Sequence, residues 1–177
     1  MKNKNYHLRE IVKGDIEAIH KGLSNPEVTK YYDVHFETIQ ETKEQMEWYE
    51  QLKKEGTGIW WGIVGNKDQQ FVGAAGFNNL DATHQKAEIG MWLNKEFWGL
   101  GILQQTMPLL FEYGFTILKL NRIEAFVQAE NIKCKKALAK IDFLPEGTMR
   151  ECEVKNGKKI DLDIYAILKT DWLISCE

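Results

Sequence analysis

Apolar residues recur along this chain in two rhythms, and the places where the rhythm changes mark its elements. His7-Leu8-Arg9 reads as a short first strand. From Asp15 onward, Ile16, Ile19, His20 and Leu23 fall at helical spacing until Asn25-Pro26 ends the run, and a short helix or turn is expected over 28–32. Thr38-Ile39-Gln40-Glu41 has the capping-box pattern, in which Thr and Glu satisfy each other's free backbone donors. The helix it opens should run to about Lys54, before Gly56 and Gly58. The period then shortens. Strands are expected over 59–64, 71–77 and 87–93, with a turn at Gly65-Asn66-Lys67-Asp68. Residues 104–118 return to a helical stripe through Met107, Leu110, Phe111, Phe115 and Leu118. Ile123, Ala125 and Val127 alternate as in a half-buried strand, and Asn131 is a natural N-cap for a helix to about Ile141. Asn156-Gly157 lies between β-like segments at 148–155 and 159–168, a strong hairpin signal. The order β-α-α, β-β-β, α-β-α, β-β predicts an α/β (α+β) fold in one domain spanning 1–177.

Composition narrows the function classes. At 177 residues, 44% hydrophobic and 28% charged, the chain has the make-up of one globular domain with a real core. It contains no apolar run near the roughly 18 residues of a membrane span. Polar residues and Arg9-Glu10 follow the basic N-terminus where a signal peptide needs an apolar stretch, so a cytoplasmic location is expected. Cys134, Cys152 and Cys176 lie far apart, as do His7, His20, His35 and His84, so neither a disulfide framework nor a metal site is expected. A net charge of −3 argues against a nucleic-acid partner and is weakly compatible with basic substrates.

The chemistry concentrates around Glu88-Ile-Gly-Met-Trp-Leu-Asn-Lys-Glu-Phe-Trp-Gly-Leu-Gly101, a strand that leads through two closely spaced glycines into a helix. Glycine lets a backbone approach a ligand, and a helix start offers free N–H groups and a positive dipole end, which together make an anion site. The bland alternative is a tight connection that binds nothing. A Walker loop would need Gly-Lys-Ser/Thr, which Leu103-Gln104-Gln105 is not. A dinucleotide fingerprint would need a third glycine where Gln104 stands, although Glu124 falls at a plausible distance for a ribose-binding acid.

Several segments in order resemble the GNAT superfamily of N-acetyltransferases, in particular its Rim-type branch of ribosomal-protein N-terminal acetyltransferases. They are Leu8-Arg9 with Gly14-Asp15, Ala87-Glu88-Ile89-Gly90, Phe97-Trp98-Gly99-Leu100-Gly101, Arg122-Ile123-Glu124-Ala125, Asn131 with Cys134, and Glu146-Gly147-Thr148-Met149-Arg150 with Asp161 and Tyr165. The resemblance implies a mixed, mostly antiparallel sheet with a splayed central strand and acetyl-CoA as cosubstrate. Met91, Trp92 and Leu93 would then pair with the pantetheine arm, and backbone N–H groups around Trp92 and Leu93 would stabilise the oxyanion. Trp98, Gly99, Leu100, Gly101, Ile102 and Leu103 would hold the pyrophosphate, and Asn131 would contact the pantetheine region. Members of the family are often homodimers, while the sequence itself is silent on assembly.

The chain departs from the family pattern at Leu103, usually Gly or Ala, whose side chain must turn away from the phosphates. It departs also at Asp142, which replaces a Gly before Phe143 and can tolerate a left-handed backbone. Leu138 stands where many members place a Tyr acid, seven residues after the Asn. Cys134 replaces a common Ser and is either the acid for the departing thiolate, its pKa lowered by the helix start, or a small buried residue. A carboxylate should act as base on the amine, and Glu88 and Glu153 are the candidates. Trp60 and Trp61 must face opposite sides of their strand, one toward the core and the other toward an acceptor groove. The basic helix face of Lys133, Lys135, Lys136 and Lys140 would face solvent or the adenosine 3′-phosphate. Tyr31, Tyr32 and His35 fall where the family shapes its acceptor site. The expected acceptor is a protein N-terminal amine, with a small amine (polyamine, amino acid or aminoglycoside) as the close competitor. A non-catalytic acyl-CoA-binding module and an NAD(P)-binding oxidoreductase are the rivals from other classes.

Overall fold

The computed structural model describes residues 1–175, so Cys176 lies outside the described residues. Seven strands form one sheet in the order β1-β2-β3-β4-β5-β7-β6. They are β1 (Tyr6–Glu10), β2 (Ile59–Gly65), β3 (Phe71–Asp81), β4 (Lys86–Leu93), β5 (Arg122–Gln128), β6 (Leu144–Lys155) and β7 (Lys158–Leu168). Every neighbouring pair is antiparallel except β4 with β5. One parallel pair is not the repeated βαβ scaffold that a dinucleotide-binding sheet requires, and the oxidoreductase reading ends there.

The helices are α1 (Ile16–Leu23), α2 (Pro26–Thr29), α3 (Ile39–Glu55), α4 (Ile102–Glu112), α5 (Ile132–Ala139) and α6 (Lys169–Ser175). The capping box at the start of α3 is formed: Glu41 N–H donates to Thr38 Oγ1 and Thr38 N–H to Glu41 Oε2, each at 3.2 Å. Gly56, at φ 70°, closes the same helix in the left-handed conformation that glycine adopts without a Cβ clash. Asn156 and Gly157, at φ 50° and 74°, make the two-residue turn between β6 and β7. Asp142 does take a left-handed backbone, at φ 64°.

Some boundaries differ from the sequence expectation. The 104–118 stripe divides into α4 and a π-helical turn, Tyr113–Ile117. β6 begins at Leu144 rather than near Thr148, and α6 was not expected at all. A seven-residue helix is too short to show a period. It is held by context instead: Trp172 packs 5.3 Å from Phe115, and the Asp171 carboxylate accepts the Leu168 N–H at 3.0 Å.

Two apolar clusters sandwich the sheet. One gathers Ile63, Phe77, Ile123 and Ile167 with Met107, Leu110 and Phe111 of α4, Phe115 and Leu138 of α5. The other gathers Val64, Phe71, Ala74 and Trp92 with Ile19 and Leu23 of α1, Val28 of α2 and Tyr49 of α3. Alternation along β2 divides its tryptophans: Trp61 enters the first cluster, while Trp60 packs against the second.

Candidate active site

β4 and β5 pair only where Lys86, Ala87 and Glu88 meet Arg122, Ile123 and Glu124, and beyond that the strands part. The residues of β4 past Glu88 therefore keep β3 on one side and an open gap on the other. Backbone groups alternate between the two sides of a strand. Asn94 N–H bonds to Val72 O at 2.9 Å, so Asn94, Trp92 and Gly90 address β3. Met91 and Leu93 address the gap. Two contacts agree with this: the Tyr32 hydroxyl donates to Met91 O, and Trp98 Nε1–H donates to Leu93 O at 2.9 Å. The expectation that Trp92 offers its amide to a ligand is thereby corrected. Its backbone belongs to the β3 ladder, and its indole is buried with Nε1–H on the Tyr49 hydroxyl at 3.2 Å. The outward-facing pair is Met91 and Leu93.

The turn from Trp98 to Gly101 has both glycines in the left-handed region, at φ 78° and 69°. Gly101 occupies the N-cap of α4 and no side chain caps that end, so the first-turn N–H groups remain available to an anion. Leu103 is half-buried against the α4-side cluster, and Leu100 is exposed. Lys133 Nζ lies 5.1 Å from the centre of the Trp98 ring, which brings a cation from α5 beside the turn. Lys135 is otherwise engaged, on Asp163 at 2.9 Å. A gap with two outward-facing peptide groups, ending at an uncapped helix start beside a cation, fits the pantetheine and pyrophosphate of acetyl-CoA.

A cavity of about 660 Å³ opens into the gap between β4 and β5. Glu88, Cys134, Glu153, Tyr31, Tyr32, His35 and Met91 all line it, so the structure brings together residues that lie up to 122 positions apart in sequence. Leu93, Asn131 and the glycine turn do not line it. Asn131 caps α5 by accepting the Cys134 N–H at 3.1 Å. The cavity also contains residues the sequence did not single out. Trp48 and Tyr49 of α3 join Trp60 in an aromatic wall, with ring centres 5.3 to 5.8 Å apart. Trp60 is fixed by its Nε1–H on Asn78 Oδ1 at 2.7 Å. The contributions of α3 follow from packing, and only the density of aromatics around position 48 signals them in the sequence.

Among the described residues four carboxylates line this cavity, from Asp33, Glu44, Glu88 and Glu153, and no Lys or Arg side chain does. Burial holds the Glu88 carboxyl above its ordinary range. Asn79 opposes the shift by donating Nδ2–H to Glu88 Oε2 at 3.0 Å, and the charges of Glu124 and Glu153 add to it. Cys134 is corrected in one respect: burial outweighs the helix start and pushes its thiol up to about 11, so it stays protonated at neutral pH. Deeper in, Glu124 is held by Lys86 at 3.0 Å and Arg122 at 2.8 Å, and Arg122 also bonds to both oxygens of Glu146.

Comparison with known proteins agrees with this architecture. The acetyltransferase (GNAT) domain family matches residues 6–144. An uncharacterized N-acetyltransferase of Bacillus subtilis (strain 168), YoaA, is 35% identical over 163 residues, 92% of each chain. The ribosomal-protein-serine acetyltransferase of Escherichia coli (strain K12) is 26% identical over 100 residues, 56% of each. Among solved structures, spermidine N-acetyltransferase from Vibrio cholerae in complex with CoA and spermine superposes with a TM-score of 0.84 at 24% identity, covering 97% of this chain and 99% of that one. With the splayed strand, the uncapped helix start and a family match over most of its length, the chain belongs to the GNAT family of acetyl-CoA-dependent N-acetyltransferases.

Proposed function

We propose that the acceptor is a small polycationic amine, acetylated by direct attack on acetyl-CoA. The observation that carries this reading is the cavity lining: four carboxylates, no cationic side chain, and a wall made of Trp48, Tyr49 and Trp60. Carboxylates and aromatic faces both attract ammonium groups, and more strongly where water is excluded. The roof favours a small acceptor. Lys155, at the tip of the β6–β7 hairpin, donates to Tyr32 O at 2.6 Å and pairs with Asp33 at 3.4 Å, tying the hairpin to the loop after α2. A second reading, a protein N-terminal amine, is favoured by the likeness to the ribosomal-protein-serine acetyltransferase.

Each residue has a definite task in this reading. Glu88, oriented by Asn79, takes the proton that the amine must lose before it attacks. Glu153, exposed on β6, holds the cationic end of the acceptor or shares the role of base. The outward N–H groups of Met91 and Leu93 meet the charge that develops on the acetyl oxygen. The first turn of α4 holds the pyrophosphate.

A thermal-shift screen of acetyl-CoA, CoA and NAD(P), followed by thiol release across spermidine, spermine, amino acids, aminoglycosides and N-terminal peptides, tests the assignment. Stabilisation by CoA species with the highest kcat/KM on a polyamine is expected. Preferential turnover of a peptide N-terminus would replace it with the second reading, and binding without thiol release would leave an acyl-CoA-binding module.

A further inference from the structure

The sulfur of CoA must leave with a proton, and the chain supplies no tyrosine for this from α5. Leu138 holds that place and is fully buried in the core. Cys134 is on the same helix, but what bonds to Asn131 is its backbone N–H, and its thiol is a free, mostly buried group. A phenol reaches the gap from the opposite side. Tyr32, in the loop between α2 and α3, extends its hydroxyl across the cavity to the outward-facing carbonyl of Met91.

That placement is fixed at several points. The Tyr32 N–H donates to Thr29 O at 2.9 Å, its carbonyl accepts from Lys155 Nζ at 2.6 Å, and Lys155 itself is mostly buried. The loop is thus anchored by α2 behind it and by the hairpin tip above it, and the ring projects inward between the two anchors. Tyr32 and Cys134 line the same cavity, one from the loop after α2 and the other from the first turn of α5. Met91 O is the acceptor a pantetheine amide would use on this strand, and a ligand that takes it releases the phenol next to the thioester.

We propose that Tyr32 is the proton donor to the departing CoA sulfur, a role that rests on acetyl transfer occurring in this gap. As the amine nitrogen bonds to the acetyl carbon, the carbon–sulfur bond breaks. The sulfur takes that bond's electron pair together with the phenolic proton, so free thiol leaves. Glu88, having passed the ammonium proton to solvent before the attack, takes the second amine proton as the bond forms, and solvent returns a proton to the phenolate. Burial holds the Tyr32 phenol above its ordinary range, so it carries its proton throughout the neutral range and gives it up only to the charge that develops on the leaving sulfur.

Tyr32→Phe keeps the ring and removes only the proton. With the amine that turns over best, its kcat should fall at least about 100-fold, the usual scale for loss of a general acid. Its acetyl-CoA Kd by titration calorimetry should stay within about twofold and its amine KM within about threefold, so that the loss falls on kcat. Cys134→Ala is the comparison, and its loss of kcat should be at least about tenfold smaller than that of Tyr32→Phe. A Tyr32→Phe enzyme with full kcat, or one altered only in Kd, overturns the proposal, as does a Cys134→Ala enzyme that shows the loss instead. A wild-type chain that binds acetyl-CoA but releases no thiol with any amine overturns the acetyl-transfer reading and this proposal together. If Tyr32→Phe fails to fold, Lys155→Met frees the anchored loop without touching the phenol. It should lower kcat, with Lys155→Arg restoring it, and equal activity in all three proteins would count against the role.

Discussion

Gly22, in the last turn of α1, is where the first layer of helices presses on the strand that forms the site. A Cβ built there would lie 2.3 Å from Trp92 Cζ3 and 2.7 Å from Asn94 Oδ1, both on buried residues of β4 and its C-terminal extension. Replacing a helical glycine with alanine would ordinarily stabilise the chain, by about 0.5–1 kcal/mol. Overpacking a dense core opposes this by about 1–3 kcal/mol. The clash is with a rigid buried ring rather than the end of a flexible chain, so the second effect wins. Gly22→Ala should lose about 1–2 kcal/mol net, which for a domain of this size lowers Tm by about 2–8 °C. Calorimetry on the purified chain measures it, and a double-mutant cycle identifies the cause. In a Trp92→Phe background, where the ring atom that clashes is gone, Gly22→Ala should become neutral or stabilising, with a coupling of at least about 1 kcal/mol. A Tm that is unchanged in the single variant, or a penalty that persists in the double, would show that the ring is not what limits α1 and would refute this account of the contact.

Two further outcomes follow from the site. Gly101→Ala meets no steric obstacle, its nearest neighbour being Gln104 Oε1 at 3.7 Å, but its φ of 69° charges an alanine about 1–2 kcal/mol. If the turn relaxes to avoid that strain, the first N–H groups of α4 lose their aim, and calorimetric titration should show acetyl-CoA Kd weakened by roughly 5- to 30-fold. An unchanged Kd would mean that the pyrophosphate is not held there. Glu88 is raised in the folded state, first by burial, so as a base it is lost when pH falls through that raised value. The acid limb of kcat/KM should therefore lie above the ordinary carboxylate range, and Glu88→Gln should lower kcat sharply while sparing acetyl-CoA binding. The stability sign is opposite. A raised carboxyl stabilises only at low pH and loses that contribution as pH rises, so Glu88→Gln should be the more stable protein at neutral pH, with the difference closing in acid. Full activity in Glu88→Gln, together with full activity in Glu153→Gln, would remove the carboxylate base from the mechanism.

The sequence by itself determined most of the elements, though not α6, and the likeness to the family. Periodicity located α1, α3 and the strands through β5 because each buries one face, and a buried face leaves its repeat in the residues. The Thr38 capping box and the Asn156-Gly157 turn were legible for a related reason, since both satisfy their backbone groups within a few residues. The glycine pair marked the turn that opens α4 because only a left-handed backbone makes that turn. What the sequence could not contain was the direction of a peptide group. Met91 and Leu93 face the gap, and Trp92 faces β3, only because β4 pairs fully with β3 and for three residues with β5. Burial of the Cys134 thiol, the hydrogen bond from Asn79 to Glu88, the aromatic wall of α3 and the reach of Tyr32 across the cavity likewise depend on distant segments meeting. A site of this kind combines groups from β4, α3, α5, the loop after α2 and the β6–β7 hairpin. Its hydrogen bonds, burial and charges are properties of the gap between strands, and the gap exists only once the sheet has formed.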